Sequence, residues 1–179
     1  MSKKENLICD KIEFNSKSLG FSEGSFLREV QLGSGSGYCD MVFIPDDKQE
    51  IPYIIEAKRI NNPEIKDAVI GQLLLYLTHA SEIPIKEWLK YREALNNGLH
   101  KGFSINKVFN EPEKQIIDRW KIKDCGRFKT SEIPIIIGVD SWDTELERRL
   151  AKILNVMEKH QFRCGLIITE PEVKWYKKP

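Results

Sequence analysis

The chain has 179 residues, enough for one domain with a proper core and cramped for two. Its 41% hydrophobic and 31% charged residues are ordinary for a globular protein, and a formal net charge of +1 excludes a uniformly basic surface. Any nucleic-acid contact must therefore be a local patch. Cys9, Cys39, Cys125 and Cys164 form no Cys-x-x-Cys pair, and with three scattered histidines they give no zinc-ligand spacing. No apolar run reaches the length of a membrane span, and the opening Met-Ser-Lys-Lys-Glu-Asn has no apolar signal region. The expected setting is a reducing cytoplasm with the thiols free, buried as small hydrophobes.

Leu7, Ile8, Ile12 and Phe14 among charged residues predict a short first helix over about 4–14. Gly20 to Gly24 marks a break, and Phe26–Leu32 alternates as a strand. The run Gly33-Ser-Gly-Ser-Gly37 suits a flexible linker, a tight turn or close backbone approach to a ligand. It is no phosphate loop, since no Gly-Lys-Ser/Thr follows. Two apolar strands come next, Tyr38–Ile44 and Pro52–Lys58, joined by the polar turn at 45–48. Asn61-Asn-Pro63 opens a helix to about Ala80, with Ile65, Ala68, Val69, Leu73, Tyr76 and Leu77 as its apolar stripe. Gln72 lies on that stripe, where a purely structural helix would place an aliphatic side chain. A buried amide needs partners, so this one is expected to reach toward the preceding hairpin.

Residues 81–131 are less regular, with helices near 84–96 and 112–121. From Lys86 to Lys129 there are eleven Lys/Arg against six Asp/Glu, a local net of +5 that leaves the remainder near −4. Trp88, Tyr91, Phe103, Phe109, Trp120 and Phe128 are interleaved with these charges. The last third reads as a β–α–β unit. Ile133–Val139 is a continuous apolar run, Thr144-x-x-Glu147 fits a capping box, and Leu146, Leu150, Ile153, Leu154 and Met157 stripe a helix to about Lys159. Cys164–Thr169 is the next strand and Val173–Lys177 a short edge strand. A right-handed crossover then sets these strands beside the hairpin in one mixed sheet flanked by helices. The expected fold class is α/β (α+β), one domain over 1–179 with residues 81–131 inserted as a helical basic segment.

Three residues of the hairpin carry chemistry. Glu56 and Lys58 project to one side of their strand, and antiparallel pairing brings Asp40 to the same edge. Two carboxylates there form a hard-oxygen site suited to Mg²⁺ or Mn²⁺, and the lysine can orient a water or neutralise a phosphate. The three groups are expected at a solvated edge, so that alanine at any of them would remove the chemistry and leave the fold intact. The bland alternative is a surface ion-pair cluster on a strand edge. The +5 segment is by itself a solvated face, but beside a site that cuts phosphodiesters it is a reasonable DNA-binding surface, and its aromatics are more often core than stacking platforms. His79, His100 and His160 pair with no nucleophile and read as structural.

Gly37-x-x-Asp40, fifteen residues, Glu56-Ala57-Lys58, and then a helix bearing Gln72-x-x-x-Tyr76 resembles the PD-(D/E)XK nuclease superfamily. That superfamily includes type II restriction endonucleases, archaeal Holliday junction resolvases and the nuclease domains of type I restriction subunits. The resemblance covers roughly residues 5–80, and the later β–α–β unit is compatible with it. Cys39 stands where the motif's name has proline. The resemblance implies a restriction endonuclease-like fold and Mg²⁺-dependent (or Mn²⁺-dependent) phosphodiester hydrolysis, in DNA, for restriction, repair or phage defence. It implies metal binding by Asp40, Glu56 and the Ala57 backbone carbonyl, action of Lys58 on the attacking water, and support from Gln72. A further glutamate from the first helix is Glu5, with Glu13 and Glu23 as rivals. Many members act as homodimers, which leaves that assembly open here. The alternatives are a nuclease-fold module that binds nucleic acid or a protein partner without cutting, and a small α/β interaction domain.

Overall fold

The structure is a computed structural model and describes residues 2–32, 37–46, 51–85, 88 and 126–179, apart from the side chains of 64, 66, 67, 144, 146 and 147. Ten elements follow in order: α1 (Lys3–Phe14), α2 (Ser16–Leu19), β1 (Gly24–Val30), β2 (Cys39–Pro45), β3 (Tyr53–Lys58), α3 (Glu64–Glu82), β4 (Ile135–Val139), α4 (Thr144–Lys159), β5 (Cys164–Ile168) and β6 (Lys174–Lys177). The fold class is mixed α/β. The strands lie in sequence order in one six-stranded sheet. β1, β2 and β3 form an antiparallel meander, β3, β4 and β5 run parallel, and β6 closes the far edge antiparallel.

Every residue of β2, β4 and β5 is buried, as continuous apolar runs inside a two-sided sheet require, while β6 alternates exposed and half-buried positions as an edge does. One face packs Met41, Phe43, Ile55, Ala57 and Ile136 against Ile8, Cys9 and Ile12 of α1. The other packs Val42, Ile54, Ile135, Ile137 and Leu166 against α3 and α4. Gly138 allows the close approach of α1, because a Cβ there would lie 2.7 Å from Ile12 Cδ1. Arg28 of β1 reaches back to Asp10 and Glu13 and ties α1 to the sheet edge. Trp175 Nε1 donates to the Leu19 carbonyl at 2.6 Å, so β6 is fastened to α2.

The sequence gives no sign of α2, a single turn ended by Gly20 at a left-handed φ of 80°. Ala68 is exposed, contrary to its expected place on the α3 stripe. At about 100° per residue it falls roughly 110° from the centre of the buried line Ile65, Val69, Leu73, Tyr76, Leu77 and Ala80. Cys9, Cys39 and Cys164 are buried, and none of them is in a disulfide among the described residues. Cys125, the helix near 112–121 and most of the basic segment 86–129 lie outside the described residues, as do the Thr144 and Glu147 side chains. Of the helix expected near 84–96, Pro84, Ile85 and Trp88 are described; Ile85 and Trp88 are helical, whereas Pro84 forms a bridge. Ile85 N donates to the Gly126 carbonyl at 3.0 Å, and a Pro84–Arg127 bridge lies alongside. No helix among the described residues is long and apolar enough to cross a membrane.

Candidate active site

β2 and β3 pair through Met41–Ile55, Val42–Ile54 and Phe43–Tyr53. Carried one step further, this register sets Asp40 opposite Glu56, and directly opposed residues share a face of the sheet. The two carboxylates are also hydrogen-bonded into each other's strands. Ala57 N donates to Asp40 Oδ2 at 2.8 Å, and Asp40 N donates to Glu56 Oε2 at 3.4 Å. Two residues along β3, Lys58 places its Nζ 3.0 Å from Glu56 Oε1. On the other side of Asp40, Glu29 of β1 takes a left-handed φ of 52° and interrupts the β1–β2 ladder at that step. Such a backbone in a non-glycine residue costs about 1–2 kcal/mol.

The expectation of a solvated edge is corrected by the burial: Asp40 is 9%, Glu56 2% and Lys58 7% exposed. They form the floor of a cleft of about 600 Å³. Its walls come from residues far apart in the chain: Ser2 and Glu5 at the start of α1, Tyr38 before β2, Arg59 to Pro63 after β3, and Gln72 and Tyr76 on α3. Burial pushes the Asp40 carboxyl up to about 6, against the pull of the Ala57 amide and the Lys58 charge. It pushes Glu56 to about 7, with the Asp40 charge adding to the rise and Lys58 opposing it. The pair is thus short of positive charge even with the lysine in place.

Each sequence-derived site residue has a definite position. Asp40, Glu56 and Lys58 converge. Gln72 lines the same cleft half-buried, and its Oε1 is buried with no hydrogen-bond partner. It makes no hydrogen bond to either carboxylate, so the expected reach toward the hairpin stops at a shared cavity. Of the three candidate glutamates, Glu5 is at the cleft, whereas Glu13 pairs with Arg28 and Glu23 with Lys17. Glu5 also caps its own helix: Ser2 N donates to Glu5 Oε2 at 2.9 Å, and Asn62 Nδ2 donates to Oε1 at 3.5 Å. Burial alone would raise the Glu5 carboxyl. The Ser2 amide and hydroxyl, with the Lys58 charge, hold it below its ordinary value. Sequence reasoning assigned no role to Tyr38, Arg59 or Asn62. The available signals were the Lys58-Arg59 basic pair and the i, i+2 spacing of Tyr38 and Asp40.

The donor set suits a divalent cation that prefers oxygen. Two adjacent, charge-starved carboxylates and an orphaned amide oxygen face one cavity, and Glu5 keeps lone-pair sites beyond those taken by Ser2 and Asn62. Among the described residues no three His, Cys, Asp or Glu side chains converge closely enough to hold a metal on their own. Water or substrate oxygens would complete the shell, as is usual for Mg²⁺. Asp140, at the end of β4, accepts from Ile60 N at 2.7 Å and Ser141 N at 3.0 Å, which fixes the wall that carries Arg59 to Pro63. No family model, curated protein or solved structure matches this chain.

Proposed function

We propose that the protein is a metal-dependent nuclease that hydrolyses phosphodiester bonds, with DNA as substrate, on a restriction endonuclease-like version of the mixed sheet. The observation that carries this reading is the cross-strand pair Asp40–Glu56 with Lys58 at 3.0 Å, sunk at the floor of an open cleft. A structural ion pair has no need of a second buried carboxylate that raises the cost of the first. The order Asp40, Glu56-Ala57-Lys58, Gln72-x-x-x-Tyr76 supports the same reading through its resemblance to the PD-(D/E)XK pattern.

Asp40 and Glu56 would hold Mg²⁺ or Mn²⁺, with the Ala57 carbonyl and Glu5 as further oxygen donors. The bound ion would supply Lewis acidity toward the phosphoryl oxygens and lower the pKa of a bound water. The Ala57 amide fixes Asp40, and Glu56 fixes Lys58. Lys58 Nζ orients the attacking water and sets a positive charge beside the phosphorus as negative charge builds on its oxygens. Gln72 Oε1, which has no hydrogen-bond partner in the cleft, would accept one from that water.

The test is incubation of the purified protein with plasmid, linear, branched and single-stranded DNA and an RNA, in Mg²⁺, Mn²⁺ and EDTA. Metal-dependent cleavage that disappears in a folded Glu56→Gln variant supports the proposal. No cleavage of any substrate would leave a non-catalytic binding module, and wild-type cutting by Glu56→Gln would displace the site.

A further inference from the structure

We propose that Tyr38 is a base-stacking platform at the mouth of this cleft, and that the cleft receives an unpaired nucleotide, so that the strand is single at the point of cutting. This rests on the nuclease reading and narrows its substrate class.

The first observation is depth. The groups that would meet the phosphate are 2–9% exposed at the floor of a cavity of about 600 Å³. Cavities of about 300–1,000 Å³ enclose small molecules, whereas a B-form duplex presents its phosphates on a stiff cylinder whose major groove alone is about 12 Å wide. A strand free to bend and unstack lowers a phosphodiester to Glu56 more readily than a stiff duplex does.

The second observation is the rim. Tyr38 lines the same cleft, and 54% of it remains exposed, although large aromatics ordinarily bury most of their surface. Its backbone does not share this freedom: Tyr76 Oη donates to the Tyr38 carbonyl at 3.0 Å. A phenol ring held at its root and half exposed at the cleft, two residues before Asp40, can stack on any base without reading sequence.

The third observation is charge. Arg59 follows Lys58 on the cleft wall, makes no ion pair among the described residues, and has a buried Nε with no hydrogen-bond partner. A planar guanidinium with spare donors binds a phosphate through two oxygens. Stacking on Tyr38, the scissile phosphate at the floor and a flanking phosphate on Arg59 together describe a short run of single strand.

The experiment measures binding in EDTA, so no cutting is needed. Fluorescein-labelled 15-mers of single-stranded DNA, single-stranded RNA and duplex DNA are titrated by anisotropy. A 2-aminopurine analogue of the single strands reports stacking. The wild type should bind at least one single strand more tightly than duplex and quench 2-aminopurine, and the DNA and RNA arms identify the sugar. Tyr38→Ala should weaken single-strand binding about 5- to 150-fold and abolish quenching, while Tyr38→Phe keeps both. Arg59→Gln should weaken binding and lower the salt slope by about 1. Unchanged single-strand affinity in Tyr38→Ala, or a wild-type preference for duplex, overturns the inference while metal-dependent cleavage keeps the nuclease reading. Binding of none of the oligonucleotides, with no cleavage, overturns both.

Discussion

Raising the pH of the metal-free protein from 5 to 8 should destabilise it, and the cause lies in two side chains. Folding lifts Asp40 from its ordinary 3.8 to about 6 and Glu56 from 4.5 to about 7. Both folded values lie above the unfolded ones, so the folded state binds more protons across this window. Their contribution is fully present below about pH 4 and is lost as pH climbs through 6 and 7. At about 1.36 kcal/mol per pH unit, each carboxyl accounts for roughly 3 kcal/mol. Between pH 5 and 8 about one pH unit of this remains for Asp40 and about two for Glu56. Because each charge raises the other, the pair acts jointly, on the order of 4 kcal/mol. For a chain of this size that corresponds to a fall in melting temperature on the order of 10 °C. Thermal and urea unfolding in EDTA at pH 5, 6.5 and 8 would measure it. The double variant Asp40→Asn/Glu56→Gln cannot ionise at either position and should flatten the profile, whatever its absolute stability. Mg²⁺ at a hundredfold its Kd should return about 2.7 kcal/mol at pH 8. A wild-type profile that is flat or rising from pH 5 to 8, or the same slope in the double variant, would refute the reasoning.

Lys58→Met keeps the buried stem and removes the ammonium. It should cut at least 100-fold more slowly at saturating Mg²⁺ while retaining its circular dichroism, since one donor aimed at the developing charge contributes about 10²–10³-fold. Gly138→Ala should cost about 1–3 kcal/mol in urea and also lower cleavage, because the new Cβ pushes on Ile8 and Ile12 of the helix that carries Glu5. Pairing it with Ile12→Val should recover part of both, and an unshifted urea midpoint in the single variant would contradict this packing. Trp175→Phe should lose about 1 kcal/mol with the hydrogen bond to the Leu19 carbonyl and leave cleavage unchanged.

What the sequence conveyed was periodicity. Alternation in 38–44 and 52–58 sets Asp40, Glu56 and Lys58 on one side, and the 3/4 spacing of Ile65, Val69, Leu73 and Tyr76 gives the α3 face that covers them. The continuous runs Ile135–Val139 and Cys164–Ile168 likewise announce buried parallel strands. Depth was not legible. A strand ending in Glu-Ala-Lys reads as a wet edge until Ser2 and Glu5, some fifty residues upstream, and Gln72 and Tyr76, downstream, wall it in. Nor could spacing choose among Glu5, Glu13 and Glu23, which differ only in their tertiary partners: the cleft for one, Arg28 and Lys17 for the others. Ala68 failed because alanine carries too little apolar surface to say which side of a stripe's border it occupies.

Asp140 bears on how a ligand would arrive. By accepting from Ile60 N and Ser141 N, it fixes the loop after β3 to the end of β4, and Glu5 receives Asn62 from the other side. A wall restrained at two points, one of them by a charge-assisted bond, is already shaped before anything binds. For this wall, association is then a docking step and not a closure. Its rate would follow ionic strength and the reach of the cleft's cations instead of waiting on the loop to rearrange, and little ordering entropy would be left to spend there.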